Sequence, residues 1–242
     1  MDILCKVAVV VPAAGNGSRM GGAPKQFRPL GGAPVLVQTL RRFDAYADTC
    51  ALIVAAPEGD IAETRALLLA AGFRAPVTVV AGGATRQQSV ARAVEALPPA
   101  CEVVLVHDAV RPFVSPDVIE AVVAEARLYG AAAPAIPIAD TVRRAEGAAF
   151  GETVPRDGLY LIQTPQAFRC ALLAEAHAHP LAAEATDDAA LVMAAGHAVR
   201  LVAGTPRNFK LTTPDDWALA EALWPLWRAE READGVLAAR GA

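Results

Sequence analysis

Gly15, Gly17, Gly21 and Gly22, with Arg19 and Lys25 among them, carry the clearest chemistry in this chain. Glycines let backbone N–H groups approach phosphate oxygens with no Cβ in the way, and successive amides form an anion-binding concavity. An arginine grips phosphate as a planar fork and a lysine acts as a mobile point charge. The stretch reads as a phosphate cradle that supplies its own counter-charges. Neither familiar phosphate loop fits it. A P-loop needs Gly-Lys-Ser/Thr where Gly22, Ala23 and Pro24 stand, and the dinucleotide fingerprint needs a third glycine where Met20 stands. On the glycines alone a plain structural turn is an equal alternative; the fixed arginine and lysine favour phosphate.

Four further clusters offer ligand chemistry. In Gly82 to Val90, GGATRQQSV, Gly82 and Gly83 end an apolar run and Ser89 falls in the first turns of a helix, which suits a base or ribose. In His107 to Phe113, HDAVRPF, Asp108 and Arg111 are delivered at a strand end, where desolvation requires that they have a use or pair with each other. His107 is a candidate general base or, as the commoner case, a satisfied packing residue. Thr141, Arg143, Arg144, Arg156 and Thr164 sit on a segment without helical patterning, and could equally form a solvated face. In NFKLTTPDD, Lys210 leaves an extended run and Thr212 precedes a capped helix start.

The elements that must position these groups alternate. Strand-like runs recur at Val7 to Val11, Ala51 to Ala55, Val77 to Ala81, Val103 to His107, Ala131 to Ile138 and Ala198 to Val202, separated by alanine- and leucine-rich segments of helical period. Val7 to Val11 is continuous and β-branched, as expected for a strand buried on both faces. The pattern predicts an α/β fold: one doubly wound, mostly parallel sheet with helices on both sides and ligands at the carboxyl ends of its strands. Ser115-Pro116 and Thr213-Pro214 mark two helix starts. From about 139 to 165 two short extended runs flank Glu146-Gly147, which predicts a projecting β-arm within a single domain spanning 1–242. Such an arm exposes strand edges and predicts a homodimer, with a flap over a monomer's site as the alternative.

The 242 residues are 54% hydrophobic and carry a net charge of −4, which argues against nucleic acid as the partner and makes any cationic site local. Cys5, Cys50, Cys101 and Cys170 are widely spread, suggesting neither a zinc site nor a disulfide framework and pointing to the reducing cytoplasm. No signal peptide or membrane-spanning run is read from the sequence.

Taken together, PAAGNGSRM with Lys25, GGATRQQSV, HDAVRP, the arm with Thr141 and Arg156, QTPQAF, ATDDA and NFKLT closely resemble the 2-C-methyl-D-erythritol 4-phosphate cytidylyltransferase family, in the family's order and across about residues 6 to 225. The resemblance implies a Rossmann-like nucleotidyltransferase fold and a reaction of CTP with a polyol phosphate, assisted by Mg²⁺. It implies that Pro12, Ala13, Ala14, Gly15, Gly17, Arg19 and Lys25 hold the triphosphate, and that Gly82, Gly83 and Ser89 surround cytosine and ribose. It further implies that Asp108, Arg111, Thr141, Arg156, Thr164, Lys210 and Thr212 face the acceptor or the reacting centre, with Arg19, Lys25 and Lys210 catalytic. Asp108 is a possible metal ligand. The sister activity on ribitol 5-phosphate shares the HDxVRPF and QTPQxF motifs, and a CTP-binding regulator without turnover is the non-enzyme alternative.

Overall fold

The structure, a computed structural model, describes residues 7–15, 24–178 and 185–240. Strand β1 (Val7–Pro12) lies at the centre of the sheet, and its valines are fully buried. It pairs in parallel with β4 (Thr49–Ala56) on one side and with β6 (Val103–Val106) on the other. β5 (Val77–Ala81) extends the sheet beyond β4, again in parallel. The side chains of β1 divide between two cores, as the period-2 geometry of a strand demands. Val7, Val9 and Val11 meet helices α1 (Val35–Asp44), α2 (Ile61–Ala70) and α4 (Pro116–Tyr129). Val10 meets α3 (Arg86–Val94), α5 (Cys170–Ala178) and α6 (Asp188–Ala194) on the opposite face. The sheet is therefore doubly wound, as expected from the alternating pattern.

Beyond β6 the pairing changes. β11 (Gln166–Arg169) runs antiparallel between β6 and β7 (Ala131–Pro137), and β12 (Arg200–Ala203) pairs with β7 in parallel. The expected arm is shorter than 139–165. β8 (Val142–Glu146) and β9 (Ala149–Val154) form a hairpin that stands as its own two-stranded sheet, whereas β10 (Tyr160–Ile162) joins the central sheet against β7. The two remaining short strands, β2 (Pro29–Leu30) and β3 (Ala33–Pro34), pair only with each other.

The helix starts follow their local chemistry. Ser115 accepts from the Val118 N–H ahead of Pro116, and Gly130 closes α4 at φ +99°. In α7 (Pro214–Arg240), Thr213 accepts from the Asp216 N–H, while the Asp216 carboxylate takes the Thr212 and Thr213 N–H groups. A third core cluster gathers Trp217, Trp224 and Trp227 of α7 around Phe113, Val110 and Leu211. This cluster anchors the chain on either side of Arg111 and Lys210. Cys101 and Cys170 are free thiols. Among the described residues no helix is long and apolar enough to cross a membrane.

Candidate active site

A cavity of about 360 Å³ opens where β1 and β6 end, at the point where the chain switches from one side of β1 to the other. Crevices of this kind are where open α/β sheets hold ligands. Pro12, Ala13, Ala14 and Gly15 form one wall. Gln26, almost fully buried, fixes that wall by donating to the carbonyls of Ala13 at 2.7 Å and Gly15 at 3.3 Å. Lys25 leads the same short turn and points its ammonium to the cavity, donating to the Leu211 carbonyl at 3.3 Å. Gly17 and Arg19 lie outside the described residues.

Ser89 lines the floor from the first turn of α3. Its hydroxyl donates to the Thr85 carbonyl and accepts from the Gly83 N–H, so the pair of glycines backs the serine rather than forming the cavity wall. A Cβ on Gly82 would overlap that of Ala14, which is why the two loops can touch. Thr212 lines the cavity while its hydroxyl donates to Asp216 at 2.6 Å.

Asp108 is the charge hub. One carboxylate oxygen lies 3.0 Å from Arg111 and 3.2 Å from Lys210, and the other lies 3.7 Å from Arg86. Burial alone would raise its pKa, but Lys210, Arg111 and Arg86 together hold the carboxyl well below the usual carboxylate range. Arg111 thus both pairs with Asp108 and borders a second cavity of about 210 Å³, where it is joined by Thr164. Arg86, Asp108 and Lys210 line both cavities. Thr141 and Arg156 line neither; both are exposed beside the hairpin, with Arg156 donating to the Ala139 carbonyl.

Hydrogen-bond logic assigns His107. The ring is fully buried, and burial pushes its pKa down to about 4, so it is neutral at pH 7. Nε2 faces the Arg111 carbonyl at 3.0 Å, which can only accept, so the proton resides on Nε2. Nδ1 is then an acceptor for the Thr164 hydroxyl at 3.1 Å, and that hydroxyl in turn accepts from the Asp108 N–H. His107 is a satisfied structural residue that sets the turn bearing Asp108 and Arg111. Its titration has a defined sign: an unfolded chain takes up a proton near pH 6.5, while the native ring stays neutral until about pH 4. The unfolded state therefore binds more protons in that window, and stability present above pH 6.5 is lost as pH falls toward 4. Chemical denaturation of the wild type is expected to show about 3 kcal/mol of loss there that is missing from His107→Gln. Parallel profiles for the two proteins would refute this assignment.

Sequence reasoning missed Arg86 as a site residue. It donates to the fully buried Asp188 at 2.6 Å and spans the gap to Asp108. A signal was present: an arginine at the first position of a helix opposes the helix dipole and needs an anionic partner.

Residues 7–225 match the family described as 2-C-methyl-D-erythritol 4-phosphate cytidylyltransferase. The chain is 52% identical over 224 residues to the protein of that name from Salinibacter ruber, covering 92% of this chain and 94% of the relative. It is 46% identical over 226 residues to the one from Thermus thermophilus, covering 93% of this chain and all of the relative. The crystal structure of the enzyme of that name from Thermus thermophilus superposes with a TM-score of 0.77 at 43% identity, over 90% of this chain and 98% of that one. With a doubly wound sheet, a cation-lined crevice and this extent of likeness, the chain belongs to the 2-C-methyl-D-erythritol 4-phosphate cytidylyltransferase family.

Proposed function

We propose that the chain transfers the cytidylyl group of CTP to 2-C-methyl-D-erythritol 4-phosphate, releasing pyrophosphate and forming the 4-diphosphocytidyl alcohol for isoprenoid precursor synthesis. The observation that carries this reading is the shared boundary of two adjoining cavities, where Arg86, Asp108 and Lys210 face both. Two polyanions that must react with each other need such a boundary, cationic and common to both.

In this reading the Pro12 to Gly15 wall, with Gly17, Arg19 and Lys25, takes the triphosphate, and Ser89, backed by Gly82 and Gly83, takes cytosine and ribose. Arg111, Asp108 and Thr164 form the acceptor side, with Thr212 at the edge. An oxygen of the acceptor phosphate attacks the α-phosphorus in line; the bond from that phosphorus to the bridging oxygen breaks, and pyrophosphate leaves with the electron pair. The nucleophile is already ionised, so no general base is needed. Lys25 and Lys210 act as pre-placed cations where charge gathers.

No cluster of three or more His, Cys, Asp or Glu among the described residues could cage a metal. Among those residues Asp108 is the one carboxylate lining the larger cavity, and its Oδ1 is the less engaged oxygen. These donors fit a Mg²⁺ that arrives on the triphosphate, with Asp108 as its protein ligand. When bound, the ion screens the phosphates and withdraws charge from the reacting phosphorus.

The working unit in this reading is a cytoplasmic homodimer. The hairpin projects Phe150 at 86% exposure, and Leu161 and Ile162 on the sheet-edge strand β10 are about half exposed. An uncovered apolar strand edge of this kind favours pairing with a second copy, whose Thr141 and Arg156 would then reach a neighbour's acceptor cavity. Sedimentation is expected to give twice the chain's mass for the wild type and a single chain's mass once residues 142–154 are replaced by a short turn. A wild type sedimenting as one chain would sink the dimer.

Pyrophosphate release tests the reaction itself, with CTP, Mg²⁺ and either 2-C-methyl-D-erythritol 4-phosphate or ribitol 5-phosphate. Release with the branched acceptor alone is expected. Preference for ribitol 5-phosphate would reassign the acceptor, and silence with both would leave a nucleotide-binding regulator.

A further inference from the structure

We propose that Asn208 is a positioning residue for the acceptor half of the site, one that touches no reactant and acts through Arg111 and Lys210; the proposal rests on the transfer reading above. Asn208 is fully buried and lines neither cavity. Its side-chain amide donates to the Thr164 carbonyl at 2.8 Å, and its own carbonyl accepts from the Arg111 guanidinium at 2.8 Å. Gln163, the residue before Thr164, reaches back. Its amide donates to the carbonyls of Thr205 and Asn208 and accepts from the Thr205 N–H. Two buried amides thus stitch the 163–164 segment to the 205–208 segment from both sides.

The stitch has a specific output. Two residues beyond Asn208 stands Lys210, and one residue further the Leu211 N–H donates to the Val110 carbonyl at 3.0 Å. The short run bearing Lys210 is therefore clipped at both ends, by Asn208 to Thr164 and by Leu211 to Val110. Packing alone does not call for an amide at 208. Its Oδ1 has no partner among the described groups, and an apolar side chain of similar volume would avoid that cost. What the amide adds is the donor that fixes Thr164, and with it the carbonyl that orients Arg111. Small displacements of charged groups at a reacting centre are costly to rate. The cytosine-side elements, β5 and the start of α3, share no hydrogen bond with Asn208.

Asn208→Leu removes the donor at nearly constant volume. Its kcat/KM for the acceptor is expected to fall about ten- to thirtyfold, while KM for CTP stays within about twofold and CTP still raises the melting temperature. Built onto Lys210→Ala, the same change is expected to cost far less than it does alone, because residues acting as one unit are not additive. Asn208→Met, which also lacks the donor, is expected to give the same acceptor-selective loss and serves if Asn208→Leu does not fold. The proposal is overturned if KM for CTP rises as much as KM for the acceptor, if the loss multiplies in full onto Lys210→Ala, or if the folded variants keep wild-type acceptor kinetics. A wild type inactive with every acceptor would overturn the transfer reading and this proposal with it; an active wild type beside an unaffected Asn208→Leu would overturn this proposal alone.

Discussion

Lys210→Ala is expected to lower turnover by about 10²–10³ while leaving the fold intact. Removing one pre-placed group that stabilises transition-state charge costs about 3–4 kcal/mol, which is that factor in rate. Lys210 meets the conditions for such a loss. Its ammonium lies 3.2 Å from Asp108, its side chain is 38% exposed toward both cavities, and Leu211 next to it is buried in the tryptophan cluster. Partial exposure means that little stability depends on the charge. Lys25→Ala should lose a comparable factor from the opposite wall, where Lys25 is held at the Leu211 carbonyl. Steady-state pyrophosphate release alongside a melting curve checks both. Near wild-type turnover in either folded variant would remove that lysine from the catalytic set.

Asp108→Asn carries the second largest effect, and a split one. Deleting its negative charge removes a repulsion against the polyanions and, in the same step, the carboxylate that would hold Mg²⁺ on the triphosphate, so KM for CTP is expected to change less than kcat. Yet Asp108 is the carboxylate shared by Arg111 and Lys210, and without its charge these two cations repel each other and shift, while Arg86 keeps its bond to Asp188. A fall in kcat on the order of 10² is expected from that misplacement. Breaking a buried ion pair costs about 3–5 kcal/mol, reduced here to about 2–3 because Arg86 and Lys210 are partly solvated. Unchanged kcat in the asparagine variant would contradict the anchoring role.

The parts of this molecule legible in the sequence are those set by local physics. Val7 to Val11 reads as a central strand because burial on both faces demands an unbroken apolar run. Ser115-Pro116 and Thr213-Pro214 read as helix starts because caps are local hydrogen bonds, and both are made. The antiparallel β11 is not legible. Gln166 to Arg169 is only four residues long, and its pairing with β6 and β7 is a long-range choice that no local pattern encodes. For the same reason the extended run at Tyr160 to Ile162 reads as part of the arm, whereas it completes the central sheet.

The site divides along the same line. Asp108 and Arg111 stand out in sequence because their desolvation at a strand end requires a reason, and the structure pairs them; Lys210, which by itself carries little information in the sequence, joins the same carboxylate. Gln26, Gln163 and Asn208 give no such warning. Amides are ordinary surface residues until the fold buries them, and their role here is to fasten one loop to another.

The central claim is cytidylyl transfer by displacement at the α-phosphorus of CTP, and the fate of labelled phosphorus tests it most directly. With 2-C-methyl-D-erythritol 4-phosphate and Mg²⁺, label from the α position of CTP is predicted to appear in the diphosphate-linked product, and label from the γ position in pyrophosphate. Label from the γ position in the acceptor, with CDP released, would contradict the account, because it would mean phosphoryl rather than cytidylyl transfer.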